Sequence, residues 1–152
     1  MSKLELKIPP PILMIVTAAL MWWTKSALPS LGFAFPGRQA AAIVIGLAGA
    51  AVALLAFASF GQADTTINPL KPEKTSALVV TGIFRVTRNP MYLGLLFALT
   101  AWALQLGNFG VLVFPILFVL YLNRFQITPE ERFLAAKFGS NYAAYCQRVR
   151  RW

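Results

Sequence analysis

The sequence predicts an all-α integral membrane protein with four transmembrane helices and a cytoplasmic cap made of a central loop and C-terminal helices. Three observations carry that expectation. Of 152 residues, 58% are hydrophobic and only 12% charged, more apolar side chains than one small soluble core can hide. The apolar residues run in blocks near bilayer-spanning length, roughly 11–27, 40–60, 91–106 and 109–122. Hydrocarbon offers no partner for free backbone N–H and C=O groups, so each block must be helical. Of the 14 lysines and arginines, only Lys25 and Arg38 fall on one side of these blocks, and the bias places both termini and the long central loop in the cytoplasm, as in an inner membrane.

The first block follows Lys3 and Lys7, as a signal peptide would, but no small-x-small cleavage site comes after it. Trp22, Trp23 and Lys25 read instead as an interfacial anchor of a retained span. The second block is uninterrupted, and its Gly46 and Gly49 among alanines predict close approach of another helix. The third and fourth are shorter and separated only by Gly107 and Asn108, which predicts a tight helical hairpin that tilts or only just crosses. With no internal repeat or low-complexity tract, residues 1–152 read as one membrane-embedded domain. Its informative parts are the polar loop 61–89 and the tail 123–152, which lie on one side and can meet there.

Composition also excludes chemistries. The chain has no histidine, which removes Ser–His–Asp triads, Cys–His pairs and His-bearing metal sites. The single Cys146 cannot form an internal disulfide or a paired-cysteine metal site. No metal or redox cofactor is implied. The net charge of +9 describes a face toward anionic lipid rather than a nucleic-acid surface, because no basic stripe with interleaved aromatics stands on a soluble module. The spans hold no ionisable residue of the kind a small multidrug exporter needs.

The central loop ends with Arg85, Arg88, Asn89, Pro90 and Tyr92 at the mouth of the third span. Pro90 suits the first helical turn, Asn89 a natural N-cap, and the arginines a headgroup layer. The tail opens on Thr128, Pro129, Glu130 and Glu131, a capping box by sequence. Glu130 and Glu131 are two of only five acidic residues, set on the side crowded with arginine, where a carboxylate pair can hold a cationic ligand. Phe133, Leu134, Phe138, Tyr142, Tyr145 and Val149 then recur at helical spacing, with Gly139 and Ser140 able to end one helix and start another.

Together, residues 75–152 resemble the membrane-embedded methyltransferases of the isoprenylcysteine carboxyl methyltransferase and phospholipid methyltransferase group. The resemblance rests on an Arg, His or Asn, Pro, x, Tyr motif, here Arg88, Asn89, Pro90 and Tyr92. It rests also on a second motif carried by Glu130, Glu131, Leu134, Phe138, Gly139, Tyr142 and Tyr145. The resemblance implies an enzyme using S-adenosylmethionine on a lipophilic methyl acceptor among membrane lipids, with a cofactor region over 71–92 and 124–152. It implies that Ser76, Ala77, Leu78, Val79, Phe84, Asn89, Pro90, Met91 and Tyr92 line the cofactor pocket. Glu130 would face the cofactor's charged methionine end, with Glu131 as neighbour or cap. Arg85, Arg88 and Arg124 are the candidates for positioning an anionic acceptor.

The chain departs from the group at three places. Asn89 replaces the more usual histidine, Gln126 stands where the eukaryotic prenylcysteine enzymes carry a substrate-side arginine, and the Gly-x-Gly of phosphatidylethanolamine methyltransferases is absent. Neither the acceptor nor the oligomeric state follows from these residues. The alternative reading is a non-catalytic membrane adaptor whose basic face binds anionic lipid. An intramembrane reductase akin to the sterol reductases would need a larger helical bundle.

Overall fold

The computed structural model describes residues 5–62 and 77–152. Its helices are α1 (Pro10–Ala27), α2 (Arg38–Gln62), α3 (Pro90–Leu106), α4 (Val113–Leu122) and α5 (Thr128–Arg148). A π-helical turn, Asn123–Ile127, joins α4 to α5 without a break, so Phe109–Arg148 is one helical path of 40 residues.

The expectation of four spans is corrected. Two helices are long and apolar enough to cross a bilayer, Arg38–Ser59 and Phe109–Arg148. In the second, the apolar run 109–122 is continued by the π turn, about 19 residues through Ile127, and α5 with its charged residues extends beyond them. Helix α1 has its apolar run diluted by Thr17, Trp22, Trp23, Thr24 and Lys25. Helix α3 is closed at 17 residues by Pro90 at its first turn and a left-handed Gly107 at its end. At 1.5 Å per residue α3 rises roughly 26 Å, short of a ~30 Å hydrocarbon core.

Membrane insertion is written on the outside of α2. Only 17% of its apolar window is buried within the protein, and Ile43, Val44, Leu47, Leu54 and Leu55 all face outward. The core helix of a soluble domain buries such a stripe, whereas here the apolar surface faces lipid. The chain is an integral membrane protein.

Helices α2 and α3 pack through glycines. A Cβ built on Gly49 would lie 2.8 Å from the Phe97 Cβ and 3.0 Å from the Gly94 carbonyl oxygen, and one on Gly94 would lie 3.0 Å from the Gly49 carbonyl oxygen. Only glycine at both positions allows that approach. Behind this pair, Met21, Tyr92, Leu99, Ala103, Leu106, Val111, Phe118, Leu122 and Ile127 form the principal core, tying α1, α3 and the α4–α5 path together. The Trp102 indole N–H donates to the Ala18 carbonyl at 3.1 Å.

At one end of the bundle the α3–α4 hairpin is knotted to the α1–α2 connection. Gly107 adopts φ +59, and the Asn108 side chain accepts from Gly110 N–H at 2.9 Å while donating to the Leu28 carbonyl at 2.7 Å. Arg38 donates to the Phe33 carbonyl at 2.8 Å, and Phe33 N–H donates to the Gly107 carbonyl at 2.8 Å.

At the other end the expected capping box does not form, because the helix runs straight through Pro129. Proline lacks the N–H that would serve the carbonyl of Phe125, and its ring crowds that carbonyl. The π turn relieves the crowding. The freed Phe125 carbonyl accepts Leu6 N–H at 3.0 Å, and the Thr128 hydroxyl donates back to the Asn123 carbonyl at 2.7 Å. Glu5, its side chain almost fully buried, meets Arg132 at 2.8 Å and Arg124 at 3.8 Å beside this joint. Farther along, Gly139 (φ 51, ψ −123) kinks α5, where the sequence predicts a helix end.

Candidate functional site

The end of the bundle away from the hairpin knot gathers the start of α3, the loop before it and the first turn of α5. Pro90 opens α3, and Tyr92, two residues in, faces the α4–α5 path. Tyr92 is buried, and its hydroxyl donates to Glu130 Oε1 at 2.5 Å. Gln126 lies one helical turn before Glu130, is only 2% exposed, and donates from Nε2 to the same oxygen at 2.7 Å. Both bonds fall on Oε1, so Oε2 is the carboxylate atom left for a ligand.

The two adjacent carboxylates have opposite surroundings. Glu131 faces two cations, Arg88 at 3.3 Å and Arg151 at 2.5 Å. Glu130 faces a phenol and an amide, both neutral, with no cation paired to it among the described residues. It stands beyond the apolar stretch 109–122 and the π turn that follows it. Burial there raises its carboxyl from the ordinary value to about 7, against the opposing pull of the Tyr92 and Gln126 hydrogen bonds. A largely covered carboxyl without a counter-ion is the arrangement a cationic ligand relieves.

Apolar walls stand beside this polar pair. Val79 and Phe84 pack with Ala56 of α2, and Ile83 and Met91 close over them. Gly82 permits the turn into this loop at φ +57, where a Cβ would meet the Ser59 hydroxyl at 2.5 Å. The Tyr145 hydroxyl donates to the Phe84 carbonyl at 2.7 Å, locking α5 onto the loop from outside.

The structure brings Val79, Phe84, Met91, Asn89, Pro90, Tyr92, Glu130 and Glu131 to one end of the bundle, with Ala77 and Leu78 leading into it. Ser76 lies outside the described residues. Arg88 is drawn in against Glu131 and also contacts the Cys146 sulfur. Arg85 is exposed at the rim. Arg124 is turned elsewhere: its side chain is 62% exposed, paired with Glu5 and set over the Phe125 ring. Asn89 occupies the N-cap position but makes no capping bond. Its side-chain amide donates instead to the Arg151 carbonyl at 2.9 Å.

Two contributors lie inside the expected region 124–152 without being singled out there as cofactor residues. Gln126 had a signal, its four-residue spacing from Glu130 on one helical face. The segment 150–152 had none, because much of what it contributes comes from backbone carbonyls. Among the described residues, no group of three or more His, Cys, Asp or Glu is placed to hold a metal ion.

Comparison with known proteins places the chain beside one family and, among others, two relatives. A model of the phospholipid methyltransferase family matches residues 38–141. An uncharacterized protein of Haemophilus influenzae is 52% identical over 62 residues, covering 41% of this chain and 98% of its own length. A protein-S-isoprenylcysteine O-methyltransferase of Schizosaccharomyces pombe is 32% identical over 122 residues, covering 78% of this chain and 50% of that protein. The chain thus spans about half the length of that yeast relative. No solved structure matches.

Proposed function

The chain belongs to the phospholipid methyltransferase family of S-adenosylmethionine-dependent enzymes, and from that premise we propose that it methylates a lipophilic acceptor held in the bilayer. The acceptor meets the cofactor at the end of the bundle where 77–92 and 124–152 come together. The charge bias of the sequence supports a cytoplasmic position for that face, with both termini on the same side. The close approach of the segment around Glu5 and Leu6 to α5 agrees with that arrangement.

The observation that carries this reading is the contrast between the two carboxylates. Glu131 is already neutralised by Arg88 and Arg151, whereas Glu130 has only neutral partners on Oε1. The carboxylate acceptor of Glu130 fits the ammonium of the cofactor's methionine end, and Tyr92 and Gln126, donating to Oε1, hold it in place to receive it. Val79, Phe84 and Met91 offer the dry, apolar lining an adenine needs. S-adenosylmethionine, held by Glu130 at its methionine end and by Val79, Phe84 and Met91 at its adenine, would supply a sulfonium methyl group for in-line transfer, with a neutral thioether as the leaving group.

What the chain adds is alignment and exclusion of water, which for such a displacement supply most of the catalysis. Its lack of histidine is no obstacle: a carboxylate acceptor needs no base, and an amine or thiol loses a single proton. Among the described residues Arg85 is exposed at the rim with no ion pair, as is Arg150 across from it, and Arg85, on the loop that leads into the third helix, is the one we assign to an anionic headgroup. Arg88 serves inside, against Glu131. The yeast relative's acceptor, a prenylated cysteine, belongs to the class of lipophilic anions this reading favours.

The test uses S-adenosylmethionine carrying a tritiated methyl group with nanodisc-held protein and a panel of extracted lipids and prenylcysteine analogues. Label should enter the organic phase with wild type and not with Glu130→Ala. Label transfer to none of these acceptors by protein that binds the cofactor would remove the lipophilic-acceptor reading.

A further inference from the structure

The segment 150–152 reaches back across the site and fastens to 87–89, to Glu131 and to the π turn. The Arg150 carbonyl accepts Arg88 N–H at 2.8 Å. The Arg151 carbonyl accepts the Asn89 side-chain amide at 2.9 Å and the Thr87 hydroxyl at 3.2 Å. The Arg151 guanidinium takes both oxygens of Glu131, Nε to Oε1 at 3.1 Å and Nη2 to Oε2 at 2.5 Å. Next to it the Trp152 indole N–H donates to Asn123 Oδ1 in the π turn at 3.0 Å, and its ring packs against the core cluster that contains Tyr92 and Ile127.

Two consequences follow from this geometry. A fork-to-fork guanidinium–carboxylate pair fixes direction as well as charge, so Glu131 is held in one orientation on the turn that also carries Glu130. The Asn89 amide donates a hydrogen to the Arg151 carbonyl, which fixes the orientation of that side chain at the start of α3. One residue therefore sets the side chains of both segments, Asn89 at the start of α3 and Glu131 at the start of α5.

We propose that Arg151 is a positioning residue for the methyl-transfer site, holding Glu131 through its guanidinium and Asn89 through its carbonyl so that the two segments keep one spacing around the cofactor. This inference rests on the methyltransferase reading above. It goes beyond it by assigning a role to a residue outside both motifs. Arg151 is suited to act this way without carrying the fold. Its side chain is 41% exposed, a setting in which an ion pair contributes little to stability, and removing the guanidinium leaves the carbonyl in place.

The experiment is calorimetric titration of S-adenosylhomocysteine into full-length protein in nanodiscs, with thermal melting of each unliganded variant alongside. The variants are Arg151→Ala, Arg151→Lys, Glu131→Gln and the Arg151→Ala, Glu131→Gln double. Arg151→Ala should weaken binding about tenfold, the lower end of what loss of an outer supporting partner costs a site, with its melting temperature close to wild type. Arg151→Lys should recover part of the affinity, because it restores the charge and not the fork. The double variant should bind no worse than Glu131→Gln, because Arg151's side chain acts through Glu131.

Wild-type affinity in Arg151→Ala overturns the proposal, and so do additive losses in the double variant. A loss of binding that merely tracks a fall in melting temperature overturns it as well. Absence of binding by wild type would instead withdraw the methyltransferase reading and this inference with it, an outcome distinct from the other three.

Discussion

Replacing Gly49 by alanine should weaken the protein, while the same change at Gly46, three residues earlier on the same helix, should not. At Gly46 the new methyl would sit 3.6 Å from the Ala101 Cβ, an ordinary contact, and the helix gains up to about 1 kcal/mol because alanine is the better helix former. At Gly49 it would sit 2.8 Å from the Phe97 Cβ and 3.0 Å from the Gly94 carbonyl. Neither neighbour is the far end of a flexible side chain, so α2 and α3 must separate by about 0.7 Å to reach a normal carbon–carbon distance. Such overpacking costs about 1–3 kcal/mol, against the same propensity gain, for a net loss of about 1 kcal/mol at the middle of that range. The two variants should therefore differ by about 2 kcal/mol, close to thirtyfold in the unfolding equilibrium. Because Gly94 lies on α3 next to the turn that carries Tyr92, Gly49→Ala should also weaken S-adenosylhomocysteine binding. The assay is reversible unfolding in mixed micelles of rising dodecyl sulfate content, followed by tryptophan fluorescence. Equal stability of the two variants, or a more stable Gly49→Ala, would refute the glycine-contact argument.

Three further outcomes are expected. The Glu130 carboxyl holds its proton below about pH 7, and a cationic ligand needs it ionised. Cofactor affinity should therefore fall about fivefold between pH 7 and pH 6, where an amino-acid ammonium stays protonated; Glu130→Gln should bind weakly and lose that slope, and an unchanged slope in the variant would assign it elsewhere. At Gly107, φ is +59 and a Cβ would fall 1.5 Å from Arg38 Nη1, so Gly107→Ala should destabilise by more than about 1 kcal/mol from left-handed backbone strain alone. Adding Arg38→Ala should recover part of that loss in a double-mutant cycle, and strict additivity would contradict the clash. Glu5→Ala should free the segment at Leu6 from α5, seen as faster hydrogen exchange at the Leu6 amide that bonds the Phe125 carbonyl; unchanged protection would mean the ion pairs do not hold it.

Features set by local chemistry could be read from the sequence. Gly107 and Asn108 announce a hairpin because a left-handed glycine and a capping amide are visible as residue types, and Gly49 announces a close helix contact for the same reason. The two polar segments that meet across Tyr92 and Glu130 could be placed on one side of the membrane from charge alone. Features set by distant partners could not. The count of spans failed because the length of an apolar run does not show where caps and diluting residues shorten it, as at Pro90, Gly107 and Lys25. Thr128, Pro129, Glu130 and Glu131 read as a helix start, yet the helix continues through them because Leu6 takes the carbonyl that Pro129 leaves open. Asn89 read as a side-chain cap, and its amide went to a carbonyl in 150–152. Arg124 read with the other arginines of the basic face, and its direction was decided by Glu5.

The most direct measurement is calorimetric titration of S-adenosylhomocysteine into nanodisc-held wild type, Glu130→Ala, Tyr92→Ala and Lys25→Ala, the last an exposed position at the far end of α1. The account predicts saturable binding by wild type and Lys25→Ala, lost in the other two. No binding by folded wild type would contradict it and leave a non-catalytic, lipid-binding membrane protein in its place.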